Sequence, residues 1–452
     1  MISRRSFIGT TGFAFLGLQR YAQAADPSRV IEPFGPLIAD PAGIVDLPEG
    51  FTYRILARQG EPMSDGFKTP GASDGMAAFP AEGGKLVLVR NHELGLKTAA
   101  LGPFRDNSRL PDELDPALSY DGGAGGRLPQ LGGTTNLVFD PASGETISQF
   151  LSLTGTDRNC AGGAMPWGSW ITCEEPEELT SERGQLHGWC FEVKATTAGG
   201  LQKPVPLKAL GRFRHEAVAL DPASGILYLT EDRTDGLLYR FIPAKKGDLS
   251  KGRLQALAIA GKPSADLRNY QPASIWPQES AELRAEWIDL DDTDSPRDDL
   301  RIRGFQAGAA RFARGEGIHR VGKSFYICCT DGGPSRRGQI FVLDPSADGG
   351  TDRLKLFLQP EKSDLLTNGD NLCPAPWGGI VICEDLIDPS FAPAAYVRCV
   401  TPEGKIFTFA KNCKPGEFAG GCFSPDGQWF FVNLMAQGLT LAIAGPWKKA
   451  ST

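Results

Sequence analysis

Six times along the chain a short apolar or β-branched run ends in polar residues, and five of those endings are acidic. The runs close at Asn91-His92-Glu93, Cys173-Glu174-Glu175, Thr230-Glu231-Asp232, Cys329-Thr330-Asp331, Cys383-Glu384-Asp385 and Val432-Asn433-Leu434. Aligned on the last position, Glu93, Glu175, Asp232, Asp331 and Asp385 coincide; one position earlier, so do Glu174, Glu231 and Glu384. A second polar point precedes each run: Asp74, Cys160, Glu216, Glu316 and the pair Asp370-Asn371, with only Ala419-Gly420 in the last copy. Carboxylates gathered within several ångströms raise one another's pKa and destabilise a fold, so a site that collects them needs cations. Calcium, which takes about six to eight oxygens in flexible geometry, suits such a ring. A thiolate among the carboxylates points to a softer or more oxidised transition metal beside it. Cys173, followed directly by two acids, is the leading thiolate. Cys383 occupies the same place in a near-duplicate segment, 375–385 against 164–175, which fits a small buried residue equally well. Any one acid could instead cap a strand or pair with Arg90, Arg233 or Arg314. His92 and His215 both precede a Glu, and His215 is read as facing phosphate or as orienting a ligand.

The elements that must position these residues are strands. Runs such as Lys85–Val89, Thr135–Phe139, Ile226–Thr230, Gln339–Leu343 and Trp429–Val432 are short, β-branched or aromatic, and bounded by turn residues. Several lead into Asp-Pro-Ala-Ser-Gly (140–144 and 221–225) or a close variant (344–349 and 424–427), which supplies the Pro and positive-φ positions of a tight hairpin. Long amphipathic helices are scarce. A unit repeated six times and built of strands predicts an all-β chain, a β-propeller of about six four-stranded blades. In that architecture the innermost strands line a channel, and the polar points at their starts converge with the acids closing the next strand. Repeat spacing is uneven, so insertions are expected near 95–130 and 245–300, within a single domain over 25–452. The run Asp289-Leu290-Asp291-Asp292-Thr293-Asp294 lacks the glycine and terminal Glu of an EF-hand and reads as a solvated loop.

Composition narrows the function classes. With 452 residues, 41% of them hydrophobic, the chain can bury a large core. Its formal charge is −7 and no Lys/Arg-rich stripe is present, so nucleic acid is not an expected partner. Ser3-Arg4-Arg5-Ser6-Phe7-Ile8, the apolar stretch from Phe13 to Leu18, and Ala22-Gln23-Ala24 read in order as a twin-arginine signal over 1–24. No later segment has the roughly 18 continuous apolar residues of a membrane span. A periplasmic or secreted product, handed folded to the twin-arginine translocation machinery, is expected. Folding before export suits a metalloprotein, because the cytoplasm controls which ions compete for the site. Ten cysteines without a Cys-x-x-Cys pair give no zinc ribbon, and most lie in apolar runs. Nothing in the sequence signals an oligomer, and a monomer is expected.

Taken together, the twin-arginine start, Asn91-His92-Glu93, Thr172-Cys173-Glu174-Glu175, Gly211-Arg212-Phe213-Arg214-His215-Glu216, Arg314-Gly315-Glu316-Gly317 and Gly369-Asp370-Asn371-Leu372 resemble the PhoX-type alkaline phosphatases over roughly residues 45–440. The resemblance implies a six-bladed propeller that hydrolyses phosphate monoesters at a centre of ferric (Fe3+) and calcium ions held by carboxylates and one cysteine. Carried over by motif, Cys173 is the iron-binding thiolate. Glu174, Glu216, Glu231, Glu316 and Glu384 are metal ligands, joined by Asp232, Glu93, Asp370 and Asn371. An arginine among Arg158, Arg233 and Arg314 holds the phosphate. The chain is shorter than the well-known phosphatases, and Gly315 and Arg214 depart from the family's pattern. Two rivals share the architecture: a lactonase or phosphotriesterase with one catalytic calcium, and a non-catalytic calcium-stabilised binding propeller.

Overall fold

The computed structural model describes residues 29–176, 185–346, 351–361, 366–385 and 394–451. The expected twin-arginine segment and its cleavage site lie outside these residues. The chain forms six radial blades. Their innermost strands are Ser73–Pro80, Asn159–Met165, His215–Leu220, Gly315–Val321, Gly369–Pro374 and Phe418–Phe423, and each neighbours the next until the last meets the first. Blades 1 to 6 are named here by these strands, in order. The second strands are Leu86–His92, Ser169–Glu174, Leu227–Glu231, Ser324–Cys329, Ile380–Glu384 and Trp429–Leu434, which are the six apolar runs of the sequence. The ring is latched by its two ends. Thr52–Arg58, near the start of the described chain, pairs antiparallel with Leu439–Ala444 and becomes the outer strand of blade 6.

Hairpin turns follow from the Asp-Pro phrases. In 221–225, Asp221 Oδ1 accepts from the Ala223 N–H at 3.1 Å, and Gly225 takes φ +80°, where a side chain is strained. Packing follows the radial plan. One buried apolar layer lies between each pair of adjacent blades. Examples are Val87, Val138, Trp170 and Phe191 between blades 1 and 2, and Tyr228, Phe325, Phe341 and Leu354 between blades 3 and 4. Each fully buried large side chain contributes about 1.5–3 kcal/mol.

Two expectations about blade shape are corrected. Blade 2 shows three strands among the described residues, ending with Cys190–Lys194. The segment 245–300 is not all insertion: Gly252–Ile259 is the fourth strand of blade 3. Glu282–Asp289 pairs with it and with Asp352–Leu358, fusing blades 3 and 4 into a nine-stranded sheet. Only the stretches flanking Glu282–Asp289 are loop, and the Asp-rich one is pinned by Arg212, whose guanidinium donates to the carbonyls of Asp294 and Ser295, each at 2.7 Å. The 95–130 segment has no strand of its own and covers an apolar cluster that includes Leu94, Phe104, Leu114 and Leu131. Among the described residues, no helix is long and apolar enough to cross a membrane.

Candidate metal and phosphate site

Every innermost strand is bulged at one place near its start: between 73 and 76, 159 and 162, 215 and 218, 315 and 318, 369 and 372, and 419 and 422. A bulge inserts an unpaired residue and re-aims its side chain. The residues so re-aimed are Asp74, Cys160, Glu216, Glu316, Asp370 and Gly420. Their successors are mostly small because neighbouring inner strands approach closely. A Cβ on Gly317, for example, would sit 2.7 Å from the Asp370 carbonyl oxygen. The residue before each inner strand holds a left-handed conformation at Ala72, Arg158, Arg314 and Asn368, with φ near +50°. This costs about 1–3 kcal/mol apiece and is found where a structure over-determines a site. Its carbonyl accepts the N–H that follows the second strand: Glu93 to Ala72, Glu175 to Arg158, Asp232 to Arg214, Thr330 to Arg314 and Asp385 to Asn368, at 2.8–3.2 Å.

That pairing corrects one alignment. Cys329 opposes Gly315 as Glu231 opposes His215, so Thr330, not Asp331, shares the register of Glu175 and Asp232. Asp331 turns outward, accepting from the Tyr270 hydroxyl at 2.7 Å and from Arg336 at 2.9 Å.

The bulges gather two overlapping donor groups. In each, the ligand atoms lie within 4.8 Å of one another: Cys160, Glu175 and Glu216, and Glu216, Glu316 and Asp370. Glu216 belongs to both. Beside them runs an alternating chain of charges across blades 1 to 4. Arg158 pairs with Glu93, and with Glu175 at 3.1 Å. Arg214 pairs with Glu175 at 2.5 Å and with Asp232 at 3.3 Å. Arg314 grips both Asp232 oxygens, at 2.7 and 2.9 Å, and reaches Glu316 at 2.7 Å. The three arginines occupy one register position in three consecutive blades, and their side chains remain partly exposed.

Proton affinities record the crowding. Burial, then Glu93, Asp370 and Glu216, push Asp74 well above the usual carboxylate range, and its buried Oδ1 has no hydrogen-bond partner. Burial and neighbouring acids do the same to Glu216, Glu316 and Glu175, and raise Asp370 to about 8. Burial opposes ionisation of Asp232 too, but the hydrogen bond with Glu175 and the grip of Arg314 and Arg214 outweigh it and hold this carboxyl low. Burial and then Glu216 raise the Cys160 thiol. Without cations, then, several of these groups keep their protons.

Of the residues singled out by sequence, the structure brings Glu93, Arg158, Glu216, Asp232, Glu316 and Asp370 together. Others lie elsewhere. The Cys173 side chain sits in the apolar layer between blades 2 and 3, its sulfur 3.6 Å from that of Cys190. It falls in a donor group separate from that of Glu175. Glu174, Glu231 and Glu384 point away from the axis and pin loops. Glu174 accepts from the backbone N–H groups of Asp157, Gly188 and Trp189 and from His187. Glu231 accepts from Leu237 N–H and the Tyr239 hydroxyl. Glu384 accepts from Thr367 and Tyr396 N–H groups and from Arg398. Arg233 turns to Asp298. The His215 ring is buried, stacked on Phe213, and its Nε2–H donates to the Gly211 carbonyl, so it does not face the acids. Asn371 Oδ1 accepts from Gly420 N–H, tying blade 5 to blade 6.

The expected ligand set lacked Cys160, Glu175 and Asp74, which the repeat marked only as polar points and an acidic ending, and it lacked Arg214 and Glu417. Arg214 stood out only as a departure from a motif. Glu417 precedes the last inner strand, outside the repeat register, and carried no signal. Burial and then Asp385, Asp370 and Asp74 raise its pKa, which places it among the central acids.

The family profile of alkaline phosphatase PhoX matches residues 32–438. Among solved structures, PhoX from Pseudomonas fluorescens in complex with vanadate, a transition state analogue, superposes with a TM-score of 0.67. It has 18% identity, covering 91% of this chain and 97% of that one. A gluconolactonase from Xanthomonas campestris gives 0.40 at 11% identity, covering 92% and 99%. A protein of unknown function from Dyadobacter fermentans gives 0.45 at 10% identity, covering 88% and 100%. These last two are too distant to bear on function. No curated protein sequence matches the chain. A ring of bulged strands that crowds acids and arginines at its centre, with the profile match over nearly the whole chain, places it among the phosphoric monoester hydrolases: the chain belongs to the PhoX alkaline phosphatase family.

Proposed function

We propose that the chain hydrolyses phosphate monoesters at this central cluster with ferric and calcium ions bound. The donor chemistry fits both ions. Cys160, with Glu175 and Glu216, offers the thiolate-plus-carboxylate set of a transition metal. Asp74, Glu216, Glu316 and Asp370 offer the hard oxygens calcium takes, and the unpartnered Asp74 Oδ1 is a buried acceptor without a donor. Cys160 thereby takes the place that sequence adjacency gave to Cys173. When bound, these ions supply Lewis acidity and neutralise charge on the phosphate and the leaving oxygen.

The chain's own side chains do the rest. Arg158, Arg214 and Arg314 are partly exposed and lie beside the donor groups, where guanidinium N–H groups can grip phosphate oxygens in competition with their carboxylates. Fixed donors of this kind act mainly by positioning and by stabilising transition-state charge. Arg314 is favoured as the principal phosphate holder, because its two anchors, Asp232 and Glu316, fix the whole fork. The vanadate carried by the Pseudomonas fluorescens protein is consistent with the same substrate class here. Export through the twin-arginine route, to the periplasm or beyond, is part of this proposal, and the substrate is a small phosphate ester met outside the cytoplasm.

The observation that carries the proposal is the sharing of Glu216 between a thiol-containing and an all-oxygen donor group. It is tested by hydrolysis of p-nitrophenyl phosphate with iron and calcium analysis of the same samples. Activity lost with chelator and restored by the two ions supports it; turnover indifferent to chelator defeats it.

A further inference from the structure

A second set of ligand-type side chains lies outside the central cluster. Cys173 is the penultimate residue of the second strand of blade 2, Cys190 opens the third strand directly opposite it, and His215 begins the inner strand of blade 3. One atom from each, the two sulfurs and an imidazole nitrogen, lie within 4.8 Å of one another, and the sulfurs are 3.6 Å apart. All three residues are fully buried, at 0% exposure. Their surroundings are apolar: Ile171, Leu210, Phe213, Val218, Leu229 and Tyr239.

The imidazole is set up as a ligand. A carbonyl oxygen only accepts, so the 3.0 Å contact between His215 Nε2 and the Gly211 carbonyl places the ring proton on Nε2. Nδ1 is left with its lone pair, buried, and without a hydrogen-bond partner. A ligating histidine is commonly oriented in this way, with its other nitrogen donating to a backbone carbonyl. A buried acceptor with nothing to accept loses its hydration without recompense, and a cation held by it and two sulfurs removes that penalty.

The geometry points to a second metal site, in which Cys173, Cys190 and His215 hold one thiophilic closed-shell ion, copper(I) or zinc(II). Two thiolates and one imidazole form a soft donor set, unlike the carboxylates of the centre. Three protein donors suit trigonal copper(I); zinc(II) in a structural site usually takes a fourth ligand. The position gives the ion a mechanical task. It ties two strands of blade 2, the blade that shows three strands, to the inner strand of blade 3, one residue before Glu216. The site shares no ligand with the central cluster, so its failure would leave the phosphatase proposal untouched.

The full chain is produced under reducing conditions in separate cultures supplemented with zinc or with copper, alongside Cys190→Ala. Metal stoichiometry and X-ray absorption at the edge of the supplemented metal are then measured. The expected result in one of the two cultures is one equivalent of ion with a shell of two sulfurs and one nitrogen, and loss of that equivalent in Cys190→Ala while iron and calcium are retained. The central cluster has a single cysteine, so a two-sulfur shell cannot arise there. Equal stoichiometry in both proteins, no two-sulfur shell in either culture, or a Cys173–Cys190 disulfide in ion-free protein would overturn the site. Where Cys190→Ala does not fold, the wild-type absorption shell alone decides between these results.

Discussion

The two arcs of the ring solve the same electrostatic problem differently. In blades 2, 3 and 4 the residue before the inner strand is Arg158, Arg214 and Arg314, and these three cations stitch Glu93, Glu175, Asp232 and Glu316 into an alternating chain. Counted from the bulge, two residues before Asp370, Gly420 and Asp74, blades 5, 6 and 1 hold Asn368, Phe418 and Ala72, which carry no charge. There burial, and then Asp385, raises the proton affinity of Asp370 and Glu417, and burial, with Glu93 and Asp370, raises that of Asp74. The first arc carries part of its counter-charge as arginine, although Glu175, Glu216 and Glu316 are still raised; the second has no arginine at this position and depends on protons or on metal ions. The comparison shows how one repeat can set an arginine grip for a phosphate anion beside donor groups for cations that run from blade 2 to blade 5.

Removing the residue that serves both donor groups should have the largest effect. Glu216→Gln is expected to lower kcat/KM for p-nitrophenyl phosphate by about a thousandfold, as losing a centre of transition-state charge stabilisation does, with bound iron and calcium lost in parallel. Next is Arg314→Ala, which leaves Asp232 and Glu316 without their shared partner. About a hundredfold in kcat/KM is expected. Thermal or urea unfolding should show a stability loss of about 2 kcal/mol, below the fully buried range because the arginine side chain is 25% exposed.

Arg214→Asn makes blade 3 resemble the arginine-free arc. The metal-free variant should melt several degrees lower than wild type, and added calcium should recover more of the melting temperature than it does in wild type. An equal calcium response in the two proteins would mean that the arcs do not differ as described.

The acid-rich arc also predicts a pH dependence. Asp370 titrates at about 8 in the folded chain and at about 3.9 when unfolded. Between these values the folded state holds a proton that the unfolded state has released. The resulting stabilisation is present below about pH 4 and is lost as pH rises towards 8. Metal-free protein should therefore lose melting temperature from this arc as pH rises over that range. Saturating calcium, which displaces the proton, should flatten or reverse the trend.

The smallest effect belongs to an acid outside both arcs. Glu231→Gln should cost about 1 kcal/mol through its contacts with Leu237 and Tyr239, and leave metal content unchanged.

Much of this was legible in the chain. The six apolar runs, the Asp-Pro turns and the polar points at 74, 160, 216, 316 and 370 give the propeller and the inner-strand positions, because they repeat in register. Choosing among adjacent residues was harder, because strand neighbours face opposite ways. Glu174 and Glu175 are alike as letters, yet one pins the loop at 187–189 and the other meets two arginines. Cys173 gained weight from the acids beside it in sequence, whereas the bulge that aims Cys160 towards Glu216 is a property of strand pairing. Asp331 misleads for a related reason: one residue of register separates it from the centre. Glu417 and the pairing of Arg214 with Glu175 needed the closed ring, since Glu175 and the acids around Glu417 come from other blades.

Anomalous diffraction at the iron edge, on crystals of the iron- and calcium-loaded chain, asks the central question most directly. The expected result is an iron peak within bonding distance of Cys160, Glu175 and Glu216, and none at Cys173. An iron site that avoids Cys160 and Glu216, or a fully active protein with no iron peak, would contradict a shared thiol–carboxylate centre.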